Sequence, residues 1–113
     1  MESSVTQRLE TPTHCIADFS LVPIGTQNTS FAQEIADIQR LLQRCDLKHQ
    51  MTCTGTTVEG PWDQVLQVIG HAHLLVHKRG VARIQTDLRV TTRTDKDQPM
   101  ENEILSVERI LTA

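Results

Sequence analysis

The hydrophobic period of this chain switches repeatedly between two residues and about 3.6, and that succession restricts the fold more than any single motif does. Residues 14–24 alternate Ala17, Phe19 and Leu21 against Asp18 and Ser20, which predicts a strand stopped by Pro23 and Gly25. Ser30 and Gln33 have the spacing of a capping box. Phe31, Ile35, Ile38, Leu41, Leu42 and Cys45 then repeat at helical intervals. Residues 48–54 alternate again, and Gly55 turns the chain into a short segment ending at Val58 and Glu59, so a hairpin is expected. Gly60-Pro61 opens a second helix, with Pro61 suited to the first helical position. Trp62, Val65, Ile69, Ala72 and Val76 form its stripe, and Gly80 stands where helices end. Along residues 81–91, Ala82, Ile84, Leu88 and Val90 fall on one face and Arg83, Gln85, Asp87 and Arg89 on the other. A polar loop leads to a last amphipathic helix carrying Ile104, Leu105, Val107 and Leu111.

The predicted order is β-α-β-β-α-β-α. Its first six elements match the split βαβ pattern of an α+β, ferredoxin-like domain: an antiparallel sheet, two helices on one face and, here, an added C-terminal helix. The other face is then uncovered, and Asp18, Ser20, Gln50, Thr52, Arg83, Asp87 and Arg89 are expected on it. A chain of 113 residues suffices for one core. Residues 14–113 are expected to form that domain, and the polar residues 1–13 a flexible tail. With two Phe, one Trp and no Tyr, the core must be aliphatic.

A net charge of −3 with both signs scattered lacks the basic footprint of a nucleic-acid binder. No apolar run has the length of a membrane span. Cys15, Cys45 and Cys53 are odd in number and lack CxxC spacing, so a reducing, cytoplasmic setting and a packing role for each are expected. His73 and His77 share a helix face near His71, but no third ligand at a metal-site spacing accompanies them, and no metal is expected. A Cys-dependent enzyme would need Cys53 activated by a partner such as His49. Packing of His49, Met51 and Cys53 on one strand face accounts for that set without chemistry.

Three separated stretches carry a family resemblance: Val22-Pro23-Ile24-Gly25-Thr26, Gly55 through Asp63 (GTTVEGPWD), and Thr86 through Lys96 (TDLRVTTRTDK). In order and spacing they resemble the small thiamine-binding-protein family, most of all its fungal-type members, over residues 14–112. The resemblance implies a ferredoxin-like fold with a C-terminal helix, assembly as a homotetramer of paired dimers, and binding of thiamine or its hydroxymethylpyrimidine part. It implies no catalysis and no required cofactor.

Within that expectation, Ser20, Thr54, Thr57 and Glu59 are the candidate hydrogen-bonding groups, and Ile24 and Trp62 the candidate apolar walls. The cleft would lie between the Pro23–Thr26 loop, the Gly55–Trp62 segment and the sheet. Glu59 has two readings: an anion at a helix entrance, or an acceptor for an aminopyrimidine. Trp62 likewise is either core or a cation–π face for a thiazolium ring. Asp18, Arg83, Asp87 and Arg89 are the candidate interface residues. The alternative function is a structural or regulatory assembly module without a dedicated ligand.

Overall fold

A computed structural model describes residues 5–113. Of the expected tail, residues 1–4 lie outside the described residues, and Val5–Arg8 form one helical turn, α1. Thr11 Oγ1 then donates to Asp63 Oδ1 at 3.5 Å.

Four strands, β1 (Cys15–Ile24), β2 (Lys48–Met51), β3 (Thr56–Gly60) and β4 (Arg83–Thr91), form one sheet in the order β2-β3-β1-β4. Every neighbouring pair is antiparallel. This is the expected ferredoxin-like arrangement, with β1 central and β2 and β4 at the edges. α2 (Ala32–Arg44) and α3 (Trp62–Lys78) supply the second layer, and α4 (Glu101–Thr112) follows the sheet.

The two-residue period of β1 becomes a division of faces. Cys15, Ala17, Phe19 and Leu21 are buried, and they meet Ile38, Leu41 and Leu42 of α2 and Val65, Val68, Ile69, Ala72 and Val76 of α3 in one core. Burying a side chain of this kind contributes about 1.5–3 kcal/mol. Thr56 is the buried polar member of β3 on the helix side, and Gln39 Nε2 of α2 donates to its hydroxyl at 3.0 Å. The helices are also clamped outside the core. Arg79 Nε donates to Asp37 Oδ2, and this bond, ahead of the added charge of Arg40, holds the Asp37 carboxyl below its usual range.

Directly paired residues share a face, so the register places the polar residues together on the uncovered side. Asp18 stands opposite both Thr57 and Arg89, Ser20 opposite Asp87, Ile16 opposite both Glu59 and Thr91, and Ile24 opposite Arg83. The alternation expected for residues 81–91 therefore holds, although the strand itself starts at Arg83.

Several local expectations need correction. α2 starts at Ala32 with Phe31 in the cap position, so Ser30 lies outside it; its hydroxyl accepts the Ala32 N–H at 3.3 Å, and the reciprocal capping box is absent. β2 ends at Met51 because the next four residues close a turn: Thr52 Oγ1 accepts the Gly55 N–H at 3.0 Å and donates to the Gly55 carbonyl at 3.1 Å. Cys53 is consequently exposed and off the strand. Cys45, at the end of α2, is exposed too, and only Cys15 is a core thiol. Burial pushes the Cys15 thiol up. Pro61 is the cap of α3, one residue before the expected place, and Gly80 follows its end with φ +93°, a left-handed conformation that glycine adopts without strain.

α4 differs from the other two long helices in having no buried residue, and Ile104, Leu105, Val107, Ile110 and Leu111 are all exposed. No helix among the described residues is long and apolar enough to cross a membrane.

Candidate functional site

Among the described residues, two hollows lie on the uncovered face. The larger, about 770 Å³, lies where the sheet meets residues 12–14 on one side and the loop from Thr91 to α4 on the other. The smaller, about 600 Å³, lies farther along β1, between the Thr52–Thr56 turn and Asp87–Arg89. Asp18 belongs to the walls of both.

Glu59 forms part of the wall of the larger hollow. It is the penultimate residue of β3, and the strand period turns its side chain away from the helices. Although it faces the uncovered side, it is only 8% exposed. His14 Nε2 lies 2.8 Å from Oε2, and because an ionised carboxylate only accepts, that nitrogen carries the proton of the bond. The backbone N–H of Met100 donates to Oε1 at 3.1 Å, and Lys48 Nζ stands 3.6 Å from the same oxygen. A single carboxylate thus gathers the segment before β1, the edge strand β2 and the start of α4. Lys48 also binds Glu101 at 3.0 Å, which is the first cause of its raised pKa.

The loop forming the opposite wall has its own internal order. Arg93 Nη2 donates to Asp95 Oδ2 at 2.8 Å while its Nε donates to Oδ1. That pairing is the main reason the Asp95 carboxyl is held at about 2. Arg93 Nη1 donates to Gln98 Oε1 at 2.7 Å, and Gln98 Nε2 passes the chain on to Glu103 Oε1 at 3.0 Å. Arg93 lies beyond the end of β4, so it is a loop organiser and not a member of the strand ladder.

The six candidate binding residues do not converge on one cleft. Thr57 and Glu59 line the larger hollow, with Thr57 Oγ1 donating to Asp18 Oδ1. Ser20 and Thr54 line the smaller one. Ile24 sits at the far end of β1 beside Arg83, and the Pro23–Thr26 loop borders neither hollow. Trp62, at the first turn of α3, packs against the core cluster while Glu59 projects to the uncovered side, so the two do not share a cleft. Asp18, Asp87 and Arg89 lie together on the uncovered face, with Arg83 four residues from Asp87 along β4. His73 and His77 are engaged locally, with Thr86 Oγ1 at 2.6 Å and the Val81 carbonyl at 2.8 Å.

Sequence reasoning did not single out His14, Lys96, Asp97, Met100 or Glu103, which also line the hollow. For His14 a signal existed in the pairing of Cys15 with Gly60, which brings the residue before β1 near the end of β3. The other four depend on the path of a loop without periodicity.

A family model described as thiamine-binding protein matches residues 17–108. The chain is 38% identical over 99 residues to ECM15 of Eremothecium gossypii, covering 88% of this chain and 94% of that protein. It is 40% identical over 93 residues to a Synechocystis protein, covering 82% and 76%. Among solved structures, a hypothetical protein of Methanocaldococcus jannaschii superposes with a TM-score of 0.76 at 25% identity, covering 85% of this chain and 97% of that one. A candidate thiamine biosynthesis/salvage protein of Thermotoga maritima has the same fold, with a TM-score of 0.70 at 13% identity over 83% of this chain and 98% of that one. With the model match spanning most of its length, the chain belongs to the thiamine-binding protein family.

Proposed function

We propose that this protein reversibly binds thiamine, or a related molecule containing its pyrimidine, in the larger hollow, without catalysing a reaction and without a cofactor. The observation that carries this reading is Glu59: a carboxylate nine-tenths buried yet lining a hollow of ligand size. A carboxylate has about four acceptor positions, and Oε2 is engaged by His14 alone among the described residues. It can therefore accept from the exocyclic amine of an aminopyrimidine, while Thr57 and the Pro99–Met100 segment border the ring. Family membership supports the ligand class.

Assembly belongs to the same proposal. β4 is a nine-residue strand at the edge of the sheet, with no strand beyond it among the described residues. If two copies pair antiparallel about Leu88, Asp87 of each stands opposite Arg89 of the other, so the edge is self-complementary. Leu88 is itself 41% exposed. The apolar stripe of α4 offers a second contact surface, and two different isologous contacts generate a tetramer made of paired dimers. The reducing chemistry of exposed Cys45 and Cys53 suits the cytoplasm.

Calorimetry with thiamine and with hydroxymethylpyrimidine tests the reading. Saturable binding to wild type that Glu59→Gln weakens without changing assembly is expected. Absence of binding by either compound would reject it. The remaining function would then be that of an assembly module, which the exposed stripe of α4 and the open edge of β4 favour.

A further inference from the structure

We propose that residues 9–14 are a strap that restrains the larger hollow, with the His14 imidazole standing in for the ligand's own donor at Glu59. The inference rests on the binding reading above and concerns how access to that site is controlled. Glu59 lines the hollow yet is only 8% exposed, so the carboxylate is nearly covered from the space it borders. Among the described residues three donors contact it: the His14 Nε2 at 2.8 Å from Oε2, and the Met100 N–H at 3.1 Å and Lys48 Nζ at 3.6 Å, both from Oε1. A ligand that reaches the carboxylate displaces part of that cover.

The three donors are not equally held. Met100 contributes its backbone at the cap of α4. Lys48 is paired with Glu59 in the β2–β3 ladder and is bound to Glu101 as well. His14, by contrast, lies on a segment in which every residue from Leu9 to His14 is exposed. Outside the ladder that begins at Cys15, the backbone hydrogen bond of that segment runs from the Leu9 N–H to the Thr6 carbonyl at 3.4 Å, away from the sheet and the long helices. Among the described residues, two side-chain bonds tie the segment down, Thr11 to Asp63 at 3.5 Å and His14 to Glu59. Both grip the junction of β3 and α3, on either side of Gly60-Pro61. A stretch with exposed bonds and no buried side chain opens at small cost. The strap is therefore the part of the cover that yields. Because Pro12, Thr13 and His14 are themselves a wall of the hollow, its release widens the hollow as it frees Oε2.

His14 also has the chemistry of a competitor. A planar ring donating one N–H to Oε2 satisfies Glu59 as an aminopyrimidine would. Strap and ligand then exclude each other, and the observed affinity is the intrinsic one reduced to the fraction of molecules whose strap is open. A half-exposed bond of this kind favours the closed strap by about fivefold.

The test is calorimetry on the full chain with hydroxymethylpyrimidine and with thiamine. His14→Ala is expected to bind both about fivefold more tightly than wild type, with unchanged circular dichroism. Thr11→Val, which loosens the other tie, should tighten both by a smaller factor. His14→Gln, whose amide N–H reaches about as far as Nε2, should return towards the wild-type affinity. In wild type itself, saturating ligand should shift the His14 ring resonances away from their positions in the free protein. Equal or weaker binding by folded His14→Ala, while wild type binds, overturns the strap and leaves the binding reading intact. A His14 ring unmoved at saturation overturns the strap as well. If neither probe binds wild type or His14→Ala, the binding reading falls, and the strap with it.

Discussion

Replacing Glu59 removes a side chain on which three segments converge, and the geometry sets the expected cost. The carboxylate accepts from His14 at 2.8 Å and from the Met100 N–H at 3.1 Å, in a site 8% exposed. Hydrogen bonds to a charged group contribute about 1.5–3 kcal/mol each when buried, but His14 is itself 56% exposed, so its bond counts for less. Glu59→Ala is therefore expected to destabilise by about 2–4 kcal/mol. Glu59→Gln keeps one acceptor and the shape, and should cost about 1–2 kcal/mol. Urea denaturation at fixed protein concentration measures both, with an unchanged m-value required for the comparison. A cycle with His14→Ala should give a coupling of about 1 kcal/mol between the two side chains. If Glu59→Ala stays within about 0.5 kcal/mol of wild type, Glu59 is not a structural post and the reasoning fails.

Further outcomes follow from the same geometry. A Cβ at Gly55 would lie 2.4 Å from the Phe19 carbonyl oxygen, which belongs to the central strand and has little freedom to move. Gly55→Ala should destabilise by about 1–3 kcal/mol by thermal or urea melting, whereas Gly70→Ala, in α3 with nothing within 4 Å, should stabilise by about 0.5–1 kcal/mol. Asp95 is depressed to about 2 by Arg93, so the stability it contributes is present above the ordinary carboxylate pKa and is lost as pH falls through about 2. Its carboxyl resonance should titrate there in wild type and at a higher pH in Arg93→Gln, where the backbone bond and Lys96 still hold it down. Arg89→Asp would set like charges against Asp87 across the proposed β4 edge contact, and light scattering should report a smaller species with unchanged circular dichroism. Retention of the wild-type mass would exclude that edge.

What the sequence disclosed depended on distance along the chain. The alternation of Ala17, Phe19 and Leu21 and the opposed faces of β4 are local patterns, and both survive as opposite faces of the sheet. The turn at Thr52 was hidden because the alternation continues through Cys53 on paper, whereas a threonine hydroxyl bonding across to Gly55 ends the strand. Trp62 and Glu59 are three residues apart, yet a strand end and a helix start send them to different layers. The hollow was the least legible part. Glu59 meets His14 and Met100 at sequence separations of 45 and 41, and no period in the chain encodes either contact.

Among the described residues, α4 is fastened at its first turn, by Glu59 to Met100, Lys48 to Glu101 and Gln98 to Glu103, while its apolar residues beyond that turn stay uncovered. The helix is therefore a lever whose pivot is also a wall of the hollow. If the proposed ligand occupies the hollow and a second copy covers the far end of α4, both would bear on the position of Glu103. Linkage makes such an effect reciprocal: a ligand bound more tightly by the assembled form must strengthen the assembly by the same factor. Ligand affinity would then vary with protein concentration, and the chain would respond to its own abundance as well as to that of the ligand.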